Sequence, residues 1–277
     1  MSSLNNILLA LATLPEAVLG HGHVRDARVN GKVYPGYERW SKNQDLNNVV
    51  TWKFTTGDEG PVSISDINGP NIICHNGATN AKASIPVNAG DEIVLRRYNE
   101  IGGFEHPGPE LHYLAPCGNA GCASVDKTTL KFYKIYEEGL VKGGMADAPD
   151  WNTQKWATTE AHKKVYPEDQ GFIDEFTVRI PEDTPTGPYI LRHELFGLHM
   201  ADKGDAEFYP QCVNLEISGK EGGNVPKGVS ATEFYQRNDP GIAIDIWKNL
   251  KSYQIPGPSV AASPSSKRHS RDVKPSH

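Results

Sequence analysis

Phe176-Thr177-Val178-Arg179-Ile180, then Glu182-Asp183-Thr184-Pro185-Thr186-Gly187, then Tyr189-Ile190-Leu191-Arg192-His193-Glu194-Leu195: two short runs rich in β-branched and aromatic residues flank a segment of turn residues. This reads as strand, turn, strand. Working outward, Val24–Val33 alternates and ends in the turn pair Asn30-Gly31, and Lys82–Val87, Glu92–Tyr98, Glu110–Leu114, Leu130–Tyr136 and Val213–Ile217 read as further strands. Tyr34–Asn71 is rich in Gly, Pro, Asn and Asp and reads as long loops, and Trp156–Val165 reads as a helical excursion. Short strands separated by turns predict an all-β, antiparallel sandwich. The 27 glycines and 20 prolines among 277 residues favour that reading over a helical one.

The two ends of the chain differ from its middle. Ile7–Leu14 is apolar but too short to span a bilayer, and Pro15, Val18 and Gly20 follow it. Residues 1–20 therefore read as a secretory signal cut after Gly20, with Ala17 as the alternative and with no Lys or Arg ahead of the apolar run. Residues 21–258 form the expected domain. Residues 259–277 carry Lys267, Arg268, Arg271 and Lys274 against Asp272, hold no aromatic residue, and read as a disordered basic tail. A net charge of −6 argues against nucleic acid or an anionic membrane as partner.

In a secreted chain, four cysteines imply two disulfides with three connectivities. Cys117 and Cys122 flank a Gly-rich loop and favour a local clip, which leaves Cys74 with Cys212. Closing so long a loop contributes roughly 5 kcal/mol in the chain-entropy model.

Cleavage after Gly20 exposes His21-Gly22-His23-Val24. A free N-terminal histidine grips a metal through its amine and its ring Nδ1, and a second imidazole completes three nitrogens suited to Cu(II). His106-Pro107-Gly108-Pro109, held by two prolines just before a strand, is positioned to supply that imidazole.

The chain resembles the fungal lytic polysaccharide monooxygenases of auxiliary activity family 9, formerly glycoside hydrolase family 61. The resemblance rests on ordered stretches from residue 21 to about 258. They include His21-Gly22-His23-Val24, Tyr34-Pro35-Gly36-Tyr37, Ile72-Ile73-Cys74-His75-Asn76-Gly77-Ala78, Pro86-Val87-Asn88-Ala89-Gly90-Asp91 and His106-Pro107-Gly108-Pro109. They continue through Tyr113-Leu114-Ala115-Pro116-Cys117, Leu191-Arg192-His193-Glu194, Leu198-His199, Tyr209-Pro210-Gln211-Cys212 and Ile255-Pro256-Gly257-Pro258.

It implies an immunoglobulin-like sandwich with a flat copper-bearing face and one copper ion cycling between Cu(II) and Cu(I). His21 and His106 are the implied nitrogen ligands and Tyr209 the axial residue. His199 and Glu207 would stand beside the metal in catalytic roles, with Tyr253 and Tyr37 as sugar contacts. The implied disulfides are Cys74–Cys212 and Cys117–Cys122. His23, His75, His112, His162 and His193 are expected to be structural or exposed.

The expected partners are a polysaccharide (cellulose or another β-glucan), an external electron donor, and peroxide or dioxygen. A secreted, extracellular monomer is expected, with no nucleic acid and no membrane. The expected reaction is oxidative cleavage through hydrogen abstraction at C1 and/or C4. In one departure, Glu207 stands where the family has Gln, with one residue fewer between it and His199. An ionised carboxylate only accepts hydrogen bonds, whereas Gln also donates. The segment Gly102-Gly103-Phe104 also lacks the family's tryptophan. The alternative is therefore a copper-binding protein of the same lineage with little or no cleavage. A glycoside hydrolase ranks last, because no facing pair of carboxylates is evident.

Overall fold

The computed structural model describes residues 21–55, 59–99, 103–142, 154–166 and 171–261. Its strands, in chain order, begin with β1 (His23–Val29), β2 (Lys32–Pro35), β3 (Val62–Ser63), β4 (Ile85–Asn88), β5 (Glu92–Asn99) and β6 (Glu110–Pro116). They continue with β7 (Tyr133–Glu138), β8 (Leu140–Lys142), β9 (Lys155–Trp156), β10 (His162–Tyr166), β11 (Gly171–Arg179), β12 (Gly187–Gly197) and β13 (Glu207–Ser218). One sheet has the order β10-β11-β5-β1-β2; the other is β3-β13-β12-β6-β7, with β4 added in parallel to β13. A third, two-stranded sheet pairs β8 with β9, and the remaining strand ladders are all antiparallel, as the turn-punctuated sequence predicts.

The opening stretch becomes β11, the turn and β12. β12 is buried from Tyr189 to Gly197 because both its faces are covered. Leu191 and Leu195 face the other sheet, alongside Leu95, Phe176, Tyr209 and Val213. Ile190 and Phe196 face outward beneath loops that carry Trp156, Phe234 and Tyr235. The predicted strand Val24–Val33 proves to be a hairpin. Asn30 (φ 49°) and Gly31 (φ 79°) take the left-handed pair of conformations that joins tightly turned strands.

The helix expected over Trp156–Val165 is absent. Trp156 closes β9, a turn follows, and β10 from His162 pairs with β11. Thr158 and Thr159 explain the turn. Their hydroxyls donate to carbonyls, Thr158 to His106 (2.7 Å) and Gly108 (3.0 Å) and Thr159 to Trp156 (3.2 Å), competing with helical bonding. The long loop segment holds most of Tyr34–Asn71, but it ends in a single helical turn, α1 (Asn71–Cys74), too short to show a periodicity.

Both disulfides form as expected, Cys74–Cys212 and Cys117–Cys122. Behind the first lies a buried ion pair. The Arg192 guanidinium donates to both Glu194 oxygens and to the carbonyls of Ile72 (2.7 Å) and Ile73 (2.9 Å). Tyr235 donates to the same carboxylate, and its hydroxyl lies 2.9 Å from that of Tyr113. Removing one partner of such a pair strands the other charge. Glu194→Ala is therefore expected to lower unfolding free energy by about 3–5 kcal/mol in urea titration, far more than an exposed Glu→Ala change.

Contacts in the described chain run to Ala261. Val260 bridges Lys134, and the Ala261 amide donates to the Lys134 carbonyl at 2.8 Å. A chain ending at Ala261 is expected to melt within a degree or so of the full chain. One ending at Pro258 should melt lower, because it leaves the Lys134 backbone unpaired.

Candidate metal centre

The N-terminal segment is fixed from below. Gln211 on β13 accepts from the Val24 amide and donates to the Gly22 carbonyl at 3.3 Å. His23 is fully buried, with Nδ1 2.7 Å from Glu59 and Nε2 3.4 Å from Glu38. Burial alone would lower its pKa, but hydrogen bonds and charge from Glu38 and Glu59 carry it up to about 9. Beside this anchor His21 places its ring 6.3 Å from that of Tyr209.

The His106 loop is tied to the end of β12. Leu198 donates to the Pro107 carbonyl (2.9 Å) and Phe196 to the Pro109 carbonyl (3.2 Å). A Cβ at Gly108 would overlap the Phe196 carbonyl, so the close approach requires glycine. Gly197 makes room in the same way, since a Cβ there would sit 3.0 Å from Glu207 and 3.2 Å from His106.

Glu207, Tyr209 and Gln211 follow each other at strand spacing and share one face of β13. The Tyr209 hydroxyl donates to Glu207 Oε2 at 2.7 Å. That oxygen lies 3.6 Å from His106 Nε2, and Oε1 lies 4.0 Å from His199 Nε2. The His106 and His199 rings stack at 4.1 Å and 19°. Phe104 presents an edge to both His106 (5.4 Å) and Tyr209 (5.0 Å). Arg97, wholly buried, lies over the rings of Phe104 and Tyr209.

Burial, with the nearby charges of His199, His21 and Arg97, lowers the His106 pKa to about 3, so the ring is neutral and keeps its lone pair. Burial likewise lowers His199. Burial raises Glu207 to about 7, with the Tyr209 hydrogen bond opposing and Asp205 adding to the rise. His106 Nε2 is buried without a hydrogen-bond partner, and His106, His199 and Glu207 each offer a ligand atom within 4.8 Å of the others. An unpaired neutral imidazole nitrogen beside a second imidazole, a carboxylate and a tyrosine fits a transition-metal ion.

Sequence-predicted residues His21, His106, His199, Glu207 and Tyr209 thus gather at one end of the sandwich. Tyr37 is half-buried, with its ring edge on Phe54. Tyr253 is more deeply committed: its hydroxyl donates to the Gly241 carbonyl at 2.7 Å and its ring packs edge-on against Trp156. Sequence reasoning passed over Trp247, which is 40% exposed and whose indole N–H donates to the His199 carbonyl at 3.1 Å. It also passed over Trp40, which is 62% exposed beneath the Arg39 guanidinium. Gln211 was legible by spacing, two residues after Tyr209 on the same face; nothing local marks Trp247.

A β-sandwich carrying imidazoles, a carboxylate and a tyrosine at one end offers the donor set of an imidazole-ligated metal site. Residues 21–254 match Auxiliary Activity family 9 (formerly GH61), and the chain belongs to that family of lytic polysaccharide monooxygenases, enzymes that cleave polysaccharides by oxidation. It is 37% identical over 265 residues to the AA9 family lytic polysaccharide monooxygenase cel61A of Hypocrea jecorina, an alignment covering 95% of this chain and 72% of the relative. It is also 37% identical to monooxygenase D of Podospora anserina, covering 92% of this chain and 70% of the relative. Among solved structures, the extended catalytic domain of H. jecorina LPMO9A superposes with a TM-score of 0.73 at 38% identity, covering 87% of this chain and 90% of that one. A cellulose-active polysaccharide monooxygenase from M. thermophila gives 0.71 at 27% identity, covering 87% and 98%.

Gln211 tests how the N-terminal segment is held. Gln211→Leu leaves the Val24 N–H and Gly22 C=O without their partner, which costs about 1–3 kcal/mol for each group left buried. Faster hydrogen exchange at the Val24 amide is expected, with exchange at the centre of β12 changed little.

Proposed function

We propose that this chain is a secreted, copper-dependent monooxygenase acting on cellulose or a related β-glucan at C1 and/or C4. The observation that carries this reading is the unpaired, neutral Nε2 of His106 facing Glu207, with His199, Tyr209 and His21 around it. The amine and ring of His21, released by cleavage after Gly20, and the ring of His106 would hold one copper ion, with the Tyr209 ring beside both histidines. Copper, when bound, supplies the redox chemistry with an external electron donor and with peroxide or dioxygen that removes hydrogen from the glycan. The relative from M. thermophila is described as cellulose-active, which supports the substrate class.

The chain's own residues do the rest. The Tyr209 ring, walled by Phe104, keeps the inner side dry. Glu207 holds the Tyr209 proton at Oε2 and can take up a proton there. His199 directs Nε2 toward the same carboxylate. Trp247, oriented by its bond to His199, offers a planar face for a sugar ring beside the centre, with Tyr37, Tyr253 and Trp40 as further contacts. Domain limits follow the same reading: a signal over 1–20, the catalytic domain from 21, and a dispensable tail at the end. Among the described residues no helix is long and apolar enough to cross a membrane.

The test compares protein starting at His21 with protein carrying one additional Ala ahead of it, which turns the amine into an amide. Tight Cu(II) binding by calorimetry, and oxidised oligosaccharides released from cellulose with ascorbate by mass spectrometry, are expected only from the first. Equal affinity in both forms would sink the proposed ligand set.

A second reading, copper binding with little cleavage, is favoured by Glu207. A carboxylate 3.6 Å from His106 Nε2 would, when ionised, favour Cu(II) over Cu(I) in an ion held there. Glu207→Gln removes that charge and leaves the nitrogens in place. A higher copper potential and a changed rate of peroxide use are expected. Affinity should shift by less than about tenfold, roughly 1.4 kcal/mol. A wild-type protein that binds copper yet turns over peroxide only after this change would establish the second reading.

A further inference from the structure

Glu110, His112 and His193 form a second polar cluster, between the two sheets, that the reaction does not use. All three are buried, with His112 and His193 wholly so. They sit on adjacent strands, His112 of β6 directly opposite His193 of β12, with Glu110 two residues before His112 on the same face. His112 Nε2 lies 2.9 Å from Glu110 Oε1 and 3.0 Å from His193 Nδ1. The rings are pinned by Tyr136 against His112 (5.2 Å) and Phe176 against His193 (5.0 Å).

Hydrogen bonding alone serves this cluster poorly. A proton on His112 Nε2 can be donated to Glu110, but His193 Nδ1 must then share that same proton as a second acceptor. If instead His193 Nδ1 carries the proton and donates it to His112, the bare His112 Nε2 confronts the carboxylate lone pair to lone pair. The outer nitrogens, His112 Nδ1 and His193 Nε2, are buried and without hydrogen-bond partners. One cation satisfies the three converging atoms together. Each residue offers one ligand atom within 4.8 Å of the others. Ligands about 2.0–2.2 Å from a tetrahedral zinc ion stand about 3.3 Å apart, so the observed separations need to open only slightly.

We propose that Glu110, His112 and His193 constitute a second, buried binding site for a divalent first-row transition ion such as Zn(II). Two imidazoles and one carboxylate are a familiar zinc donor set, with a fourth position left for water. The Arg97 guanidinium, which acts on His193, opposes the ion, and the Glu110 carboxylate offsets it. Arg192 also acts on His193, but its charge is matched by Glu194. Because the site is enclosed by strands, the ion enters as the sandwich closes.

The test refolds protein starting at His21, disulfides intact, with Zn(II) alone and counts bound zinc by native mass spectrometry. Parent protein, His106→Ala, Glu110→Gln and His112→Asn are compared, with Co(II) absorption as a report on the ligands. The expected result is one zinc retained by His106→Ala and lost from His112→Asn. Glu110→Gln, which keeps both rings in place and guards against a misfolded His112 variant, should bind that zinc at least tenfold more weakly. The same Co(II) bands should appear in the parent and in His106→Ala and fade in Glu110→Gln. Equal zinc counts in the parent, Glu110→Gln and His112→Asn overturn the proposal. Failure of the copper reading shows separately, as equal Cu(II) affinity in protein starting at His21 and protein with one Ala ahead of it, a comparison that leaves Glu110, His112 and His193 untouched.

Discussion

The antiparallel ladder between β12 and β13 is the constraint on which the rest depends. It runs unbroken from Gly187↔Ile217 to Gly197↔Glu207. Residues opposite each other in such a ladder share a face. The register therefore fixes at once that Tyr209 lies beside Leu195, Gln211 beside His193 and Val213 beside Leu191, all toward the opposing sheet. A one-residue slip would send every one of these to the other face. The Cys74–Cys212 bridge locks β13 three residues beyond Tyr209. The placement of Tyr209 and the Gln211 clamp on the N-terminal segment thus follow from one registered strand pair.

Charge is tolerated inside this sandwich because its members are held in sets. Arg192 and Glu194 saturate each other and two carbonyls of α1. His23 is flanked by two carboxylates, which outweigh the desolvation of its ring. Replacing such groups by apolar ones of similar volume is often neutral or stabilising. Their value here is positional. The His23 set anchors the segment that carries His21, and the Arg192 set ties α1 to the central strand. Arg97 differs, for its guanidinium rests on the faces of Phe104 and Tyr209.

Much of this was legible in the sequence where a local pattern carried it. Alternation and turn residues marked β1, β5, β6, β11, β12 and β13. The ordered motifs marked His21, His106, His199 and Tyr209, and cysteine spacing marked both bridges. What stayed hidden was set by distant partners. Trp156–Val165 has a composition compatible with a helix, yet Thr158 bonds to carbonyls some fifty residues earlier. The Tyr253 ring is set by its hydroxyl bond to the Gly241 carbonyl, which no local pattern marks. Trp247 gains meaning only from its bond to His199. Glu110, His112 and His193, two of which read as ordinary structural histidines, become a cluster only when the β6–β12 register sets them face to face.

Glu207 shows how one residue joins fold and chemistry. Its position is fixed by the ladder opposite Gly197, where the missing side chain leaves room for both the carboxylate and the His106 ring. Its proton affinity is set by burial against the opposing hydrogen bond from Tyr209. A bound cation beside it would favour the ionised form, because attraction between opposite charges grows as water is excluded. The carboxylate would then accept from Tyr209 and from a protonated oxidant or from water, but could donate to none. A glutamine in the same place would offer an N–H. The shortened link from His199 therefore places an acceptor, where a glutamine would be both donor and acceptor, within 3.6 Å of His106 Nε2 and 4.0 Å of His199 Nε2. On the proposed reading, the substitution would act on proton traffic around a bound metal and leave the architecture of the centre to the strands.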